Sequence, residues 1–244
     1  MSNLAQITEE AKAEHQAALA KIQEMNKHKE WLEKRKSRFT SSEYGRLMGY
    51  EDNPKYDEVL TKGGLTYAYE KYLEEITTET KSITSAAIEH GNEFEVEAAE
   101  RFMKETDLEV YAYGKDQEFQ ELGKDLGCTP DGLIEDYSGL ETKCPDSKTH
   151  DTYLSTITDV ASFKKLCNKY YWQIMGAMYI TGRKSWYFVS YDPRMKNKDE
   201  QILILKIERN EEDIEKLKKR LRLAIGYKIS LLKKRAKRKP LRVI

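Results

Sequence analysis

The sequence predicts an α/β (α+β) domain, and three features carry that expectation. Stretches of strand composition alternate with stretches of helical period, the segment Cys128 to Pro145 reads as a hairpin between them, and 244 residues suffice for one domain with a substantial core. Nothing in the chain demands a second domain. Lys plus Arg and Asp plus Glu both number 42, so contact with a polyanion has to come from local patches rather than from a general basic character. Three cysteines without paired metal spacing suit a reducing compartment, and neither a signal peptide nor a membrane-spanning run is present, so a cytoplasmic protein is expected.

From about Leu4 to Lys29 the chain is rich in Ala, Glu, Lys and Gln, with Leu4, Ile7, Ala11, Ala18, Ile22 and Met25 one or two turns apart. This predicts a helix with a thin apolar stripe, either docked or mediating assembly, or else a partly solvated extension. His15 and His28 lack ligand spacing and are expected in solvent. The run Thr40-Ser41-Ser42-Glu43 can cap a helix, and beside Arg35, Arg38 and Arg46 it reads either as an ordinary cap or as a phosphate site. Gly49 to Gly64 reads as a loop and Leu65 to Glu75 as a helix.

Ile88 to Met103 is a second helix whose wheel sets Phe94, Ala98, Ala99 and Phe102 on one arc and Glu93, Glu97 and Glu100 opposite. Glu95 falls inside the apolar arc, where a carboxylate needs either an ion pair or a metal. His90 either lines the same cleft or is structural.

Val110 to Tyr113 and Gln117 to Gln120 have strand composition. In the hairpin, Pro130-Asp131-Gly132 reads as a turn and Asp136 to Gly139 as the loop. Side-chain alternation then puts Leu140, Thr142 and Cys144 on one face of a strand and Glu141 and Lys143 on the other, with Cys144 buried and Asp131 returned beside the charged pair. Two carboxylates and a lysine at a strand end suit metal-dependent phosphodiester hydrolysis: the carboxylates hold hard cations through oxygen, and the lysine holds water or phosphate in line.

Beyond Pro145 the chain is polar and turn-rich to Thr158, predicting a partly basic loop in which His150 and Asp151 are open to a substrate. Helical pattern resumes at Asp159, and Asn168 to Ile180 stops at Thr181-Gly182. Gly176 and Ala177 are expected to let this helix lie close to the sheet. Gln173, on a face with Tyr170 and Ala177, either orients water or phosphate or is a buried, hydrogen-bonded amide. Ser185 to Tyr191 and Gln201 to Ile207 read as strands joined at Asp192-Pro193-Arg194, and Glu211 to Leu232 as a closing helix. The basic stretch Lys233 to Arg242 is a tail, solvated or against DNA backbone.

The order Pro-Asp, spacer, Glu-Thr-Lys resembles the signature of the PD-(D/E)XK nuclease superfamily. Taken with Gly91-x-x-x-Glu95, Gly139-Leu-Glu141-Thr-Lys143-Cys-Pro145, Tyr170-x-x-Gln173, Trp186 to Lys196 and, upstream, Trp31-x-x-x-Arg35 with Thr40-Ser-Ser42, the chain resembles the phage lambda exonuclease family of viral recombinases. The resemblance covers roughly Trp31 to Ile207. It sets residues 1–30 apart as a helical extension, 31–232 as the nuclease domain and 233–244 as the basic tail.

The resemblance implies a central mixed β-sheet flanked by helices, with a restriction-endonuclease-like core. Asp131, Glu141 and the Thr142 carbonyl would bind Mg²⁺, two ions per site with Mn²⁺ as a substitute, and Glu95 would complete the metal and water shell. Lys143 would position the water, Gln173 would support water or phosphate, and Arg35, Thr40 and Ser42 would hold a 5′-phosphate. It further implies 5′-to-3′ degradation of one strand of duplex DNA to mononucleotides, leaving a 3′ single strand for an annealing recombinase. A homotrimer and a phage or prophage origin in a bacterial host come with it. Competing expectations are an endonuclease of the same superfamily and a catalytically inert DNA-binding protein.

Overall fold

The computed structural model describes residues 2–78 and 86–238 and divides into two compact units, 1–36 and 37–244. The first unit is one helix, α1 (Ser2–Arg35), which runs past the expected end at Lys29 and past the expected domain boundary at residue 30. Trp31-Leu-Glu-Lys-Arg35 contains no Gly or Pro to stop it, and Lys34 and Arg35 suit the negative end of the helix dipole. Leu19, Ile22 and Met25 of the apolar stripe are exposed, as are His15 and His28, the latter stacked on Trp31.

The second unit contains, in order, β1 (Phe39–Thr40), a 3-10 helix (Ser41–Arg46), a 3-10 turn (Pro54–Asp57), α2 (Lys62–Ile76), α3 (Ala86–Thr106), β2 (Val110–Tyr111) and β3 (Gln120–Leu122). There follow β4 (Leu126–Cys128), β5 (Gly132–Ile134), β6 (Ser138–Lys143), α4 (Ser147–Thr156), α5 (Val160–Leu166), α6 (Asn168–Thr181), β7 (Ser185–Tyr191), β8 (Ile202–Glu208) and α7 (Glu211–Ala236). The main sheet has the order β2-β5-β6-β7-β8; β6 and β7 are parallel and the other pairs antiparallel, which makes it mixed. A small sheet, β1-β4-β3, lies apart from it in the hydrogen-bonding pattern.

Both faces of the main sheet are buried. On one, α3 supplies Ala98, Ala99 and Phe102 against Leu140, Val189 and Tyr191, the residues its wheel assigns to the apolar arc. On the other, Phe163, Trp172, Met175, Leu217 and Leu221 from α5, α6 and α7 cover Trp186, Phe188 and Ile207. The central strands β6 and β7 are therefore buried nearly throughout, as central strands covered on both faces must be. Gly139 at the start of β6 has no room for a side chain: a Cβ there would lie 2.5 Å from three ring carbons of Trp186.

Several expectations are corrected. The segment after Pro145 is α4, begun by the Asp146 side chain accepting from the Thr149 amide at 2.8 Å, and not a loop. His150 is fully buried: its Nδ1 meets Ser190 Oγ at 2.7 Å and its Nε2 meets the Glu200 carbonyl at 2.8 Å, so it holds the scaffold and is closed to substrate. Thr40 caps no α-helix; a six-residue 3-10 helix follows it, without a side-chain capping bond. Gly176 faces Tyr44 of that 3-10 helix and not the sheet, since a Cβ there would sit 2.3 Å from the Tyr44 ring.

Smaller differences follow the same local logic. Strand geometry begins at Gln120 and not Gln117, and β2 ends at Tyr111 because Ala112 turns into the left-handed region at φ 52°. A longer connection containing a short 3-10 turn (Lys198–Glu200) joins β7 to β8 beyond Asp192-Pro193-Arg194. Cys144 is only half-buried, and α7 carries the chain to Ala236 before the basic tail, whose residues from 239 lie outside the described residues.

Candidate active site

The hairpin forms as its pattern predicts. Gly132 pairs with Leu140 and Ile134 with Ser138, and the Asp131 amide donates to the Leu140 carbonyl at 3.2 Å, which brings Asp131 beside the end of β6. From there Asp131 Oδ2 accepts from the Thr142 amide at 2.7 Å and from Thr142 Oγ1 at 3.2 Å. On the opposite face of β6 the Lys143 ammonium bonds Glu141 Oε1; it also donates to the Thr142 carbonyl at 2.9 Å and lies 3.7 Å from Asp131 Oδ2. Gln173 of α6 reaches the same carboxylate, its Nε2 donating to Glu141 Oε1 at 2.6 Å. Asp131, Glu141, Thr142, Lys143 and Gln173 are thus one cluster.

Its electrostatics are those of carboxylates crowded out of water. Glu141 is 1% exposed, and burial followed by the charge of Asp131 pushes its pKa up to about 8 in spite of Lys143. Glu95 on α3, half-buried, is pushed up to about 7 by burial and again by Asp131, opposed by Lys143 and by the side chain of Gln117. Burial works against the charge on Lys143, but Glu141 and Asp131 outweigh it and hold the ammonium well above its usual pKa. The side chain of His90 lies outside the described residues.

The Lys143 ammonium is surrounded by oxygen. One cation is met by two carboxylates and a main-chain carbonyl, all oxygen donors, the set a hard divalent ion prefers. Among the described residues no group of three or more His, Cys, Asp or Glu side chains is gathered at metal-ligand spacing, so Glu95 stands beside this set electrically without closing it.

The remaining predicted residues lie on two units. Arg35 ends α1, with its guanidinium 4.3 Å over the Trp31 ring, the contact an i, i+4 pair allows. Thr40 and Ser42 lie at the start of the 3-10 helix, with their hydroxyls 3.4 Å apart. Two residues with no motif hold this segment: Tyr67 accepts from the Thr40 amide at 2.8 Å, and the Tyr44 hydroxyl donates to the Phe39 carbonyl at 3.1 Å. Gln117 is likewise absent from any motif, and nothing in its local sequence separates it from a surface glutamine.

The mixed sheet, its flanking helices and the carboxylate–lysine cluster at the end of β6 define a nuclease fold of the PD-(D/E)XK type. Residues 30–184 match the YqaJ-like viral recombinase domain, and the chain belongs to that family. It is similar in structure to an alkaline exonuclease from Laribacter hongkongensis, with 26% identity, a TM-score of 0.69, and coverage of 85% of this chain and 97% of that one. The same enzyme in complex with dAMP matches at 27% identity, TM-score 0.69 and the same coverage. A phage-related exonuclease from Haemophilus somnus 129PT shares the fold at 17% identity and TM-score 0.65, over 81% of this chain and 96% of that one. No curated protein sequence matches the chain. No helix among the described residues is long and apolar enough to cross a membrane.

Proposed function

We propose that this protein is a Mg²⁺-dependent exonuclease that degrades the 5′-phosphorylated strand of linear duplex DNA in the 5′-to-3′ direction to mononucleotides. The 3′ single strands it leaves serve recombination by strand annealing. One observation carries the reading: Asp131, Glu141 and the Thr142 carbonyl converge on the Lys143 ammonium at the end of β6. The viral recombinase family, the alkaline exonuclease activity named for the Laribacter protein and the mononucleotide bound to it support the DNA substrate and the size of the product.

Asp131, Glu141 and the Thr142 carbonyl would hold the metal, two ions per site, with Glu95 completing the metal and water shell. Mn²⁺ takes the same oxygen donors. When bound, the metal neutralises charge on the scissile phosphate and lowers the pKa of water. The protein's own groups do the rest. Lys143 holds the attacking water against the phosphate, and Gln173 fixes the rotamer of Glu141 through its Oε1. The buried walls around Glu141 exclude bulk water and strengthen each of these interactions. Arg35, Thr40 and Ser42 take the terminal 5′-phosphate and so make the reaction end-dependent, an assignment that rests on the sequence motif. A homotrimer threaded by DNA and a single-strand annealing recombinase as partner belong to the same reading.

The test is a metal titration on a linear duplex with purified wild type, Glu141→Ala and Lys143→Ala. Cleavage by wild type that starts with Mg²⁺, stops with chelator and is absent from both variants supports the site. Wild-type turnover by either variant removes it.

A further inference from the structure

The ring of Tyr170 carries two ammonium groups. Lys143 of the cluster lies 5.3 Å from its centroid and Lys169, the preceding residue on α6, lies 4.5 Å from it. The ring itself is fixed, stacked at 27° on the fully buried Phe188 of β7. Lys169 is also set in place through its backbone: a Cβ on Gly45 would lie 3.0 Å from the Lys169 Cα, so α6 and the 3-10 helix bearing Ser42 touch at this residue. Its side chain is exposed, and among the described residues no carboxylate pairs with it. A cation in the first turn of a helix works against the helix dipole, so helix stability does not account for it.

Resting on the nuclease reading above, we propose that Lys169 binds the DNA phosphate neighbouring the scissile one, with Tyr170 as the platform that sets its ammonium relative to Lys143. An exposed ammonium held on an aromatic face keeps its charge and its donors for an incoming anion while losing little freedom on binding. With a mononucleotide as product, the 5′ neighbour of the scissile phosphate is the terminal phosphate itself, so Lys169 takes the next phosphate on the 3′ side, in the part of the strand that is not yet cut. The contact is to the backbone and carries no base preference.

Binding of a short linear 5′-phosphorylated duplex to the metal-free protein, measured across salt concentrations, tests this. K169Q should weaken binding several-fold at low salt, equally across sequences, and make the log Kd against log salt slope shallower by about 0.9, the share of one phosphate contact. K165Q, an exposed lysine on α5 away from the ring, should leave the slope unchanged, Y170F should match wild type, and Y170L should follow K169Q. An unaltered slope in K169Q, an equal loss in K165Q, or a wild-type slope in Y170L would overturn the inference while wild-type cleavage of duplex DNA left the nuclease reading intact. Failure of wild type to bind or cut duplex DNA would sink both.

Discussion

The cluster at the end of β6 and the segment Phe39–Arg46 are held in opposite ways. At β6 the structure spends charge: Glu141, Asp131 and Lys143 are gathered with little water, and two carboxylates are pushed toward their protonated forms. In the segment, neutral hydroxyls hold the main chain, with Tyr67 on the Thr40 amide and Tyr44 on the Phe39 carbonyl, and a missing Cβ at Gly176 admits the Tyr44 ring. The first arrangement holds carboxylates at raised pKa beside one ammonium. The second is a frame held by buried hydroxyls and close packing, which the proposed function would use to recognise a 5′ end.

Six substitutions would break or sharpen that contrast. The largest effect belongs to Glu141→Ala and Lys143→Ala, which should each lower cleavage on the order of a thousandfold or more while the circular dichroism spectrum stays folded. Next, Gln173→Ala should cost about ten- to a hundredfold in kcat, because it removes the amide that orients Glu141 without removing a ligand. Steady-state rates on a linear duplex read both.

In the segment, Tyr67→Phe leaves the buried Thr40 amide without its acceptor and should cut the preference for 5′-phosphorylated over 5′-hydroxyl ends several-fold, about 1 kcal/mol, as should Arg35→Ala. Competition between the two ends measures it, and equal loss on both would count against an end-binding role.

The smallest effect is on stability. The folded-state pKa values of Glu95 and Glu141 lie above those of an unfolded chain, so between about pH 4.5 and 8 the folded protein binds more protons than the unfolded one. Stability of the metal-free protein should therefore fall as pH rises through that window. Glu141→Gln should raise its melting temperature at pH 8 on the order of 3 °C and flatten the profile, with activity lost. A melting temperature that climbs with pH over this range would contradict the charge-crowding account.

The same contrast decides what the sequence reveals. Strand alternation around Glu141 and Lys143, the turn at Asp131 and the single glutamate inside the apolar arc of α3 are local patterns, and the structure gathers those residues as the patterns imply. The frame is a tertiary matter. Tyr67 lies 27 residues from the amide it accepts from, and the two-residue β1 pairs with β4, where Gly127 has a Cβ position only 2.1 Å from the Phe119 ring. No period announces such contacts. α4 was hidden for another reason: Ser147 to Thr156 is polar and rich in Thr and Ser, and only its Asp146 cap signals a helix, while the burial of His150 depends on Ser190 and Glu200 far along the chain.

The most direct measurement gives the purified protein Mg²⁺ and a linear duplex carrying a 5′-phosphate on one strand only, beside a covalently closed circle. The account predicts loss of the phosphorylated strand alone, release of mononucleotides, an untouched circle and arrest by chelator. Cutting of the circle, or degradation of both strands alike, would contradict it.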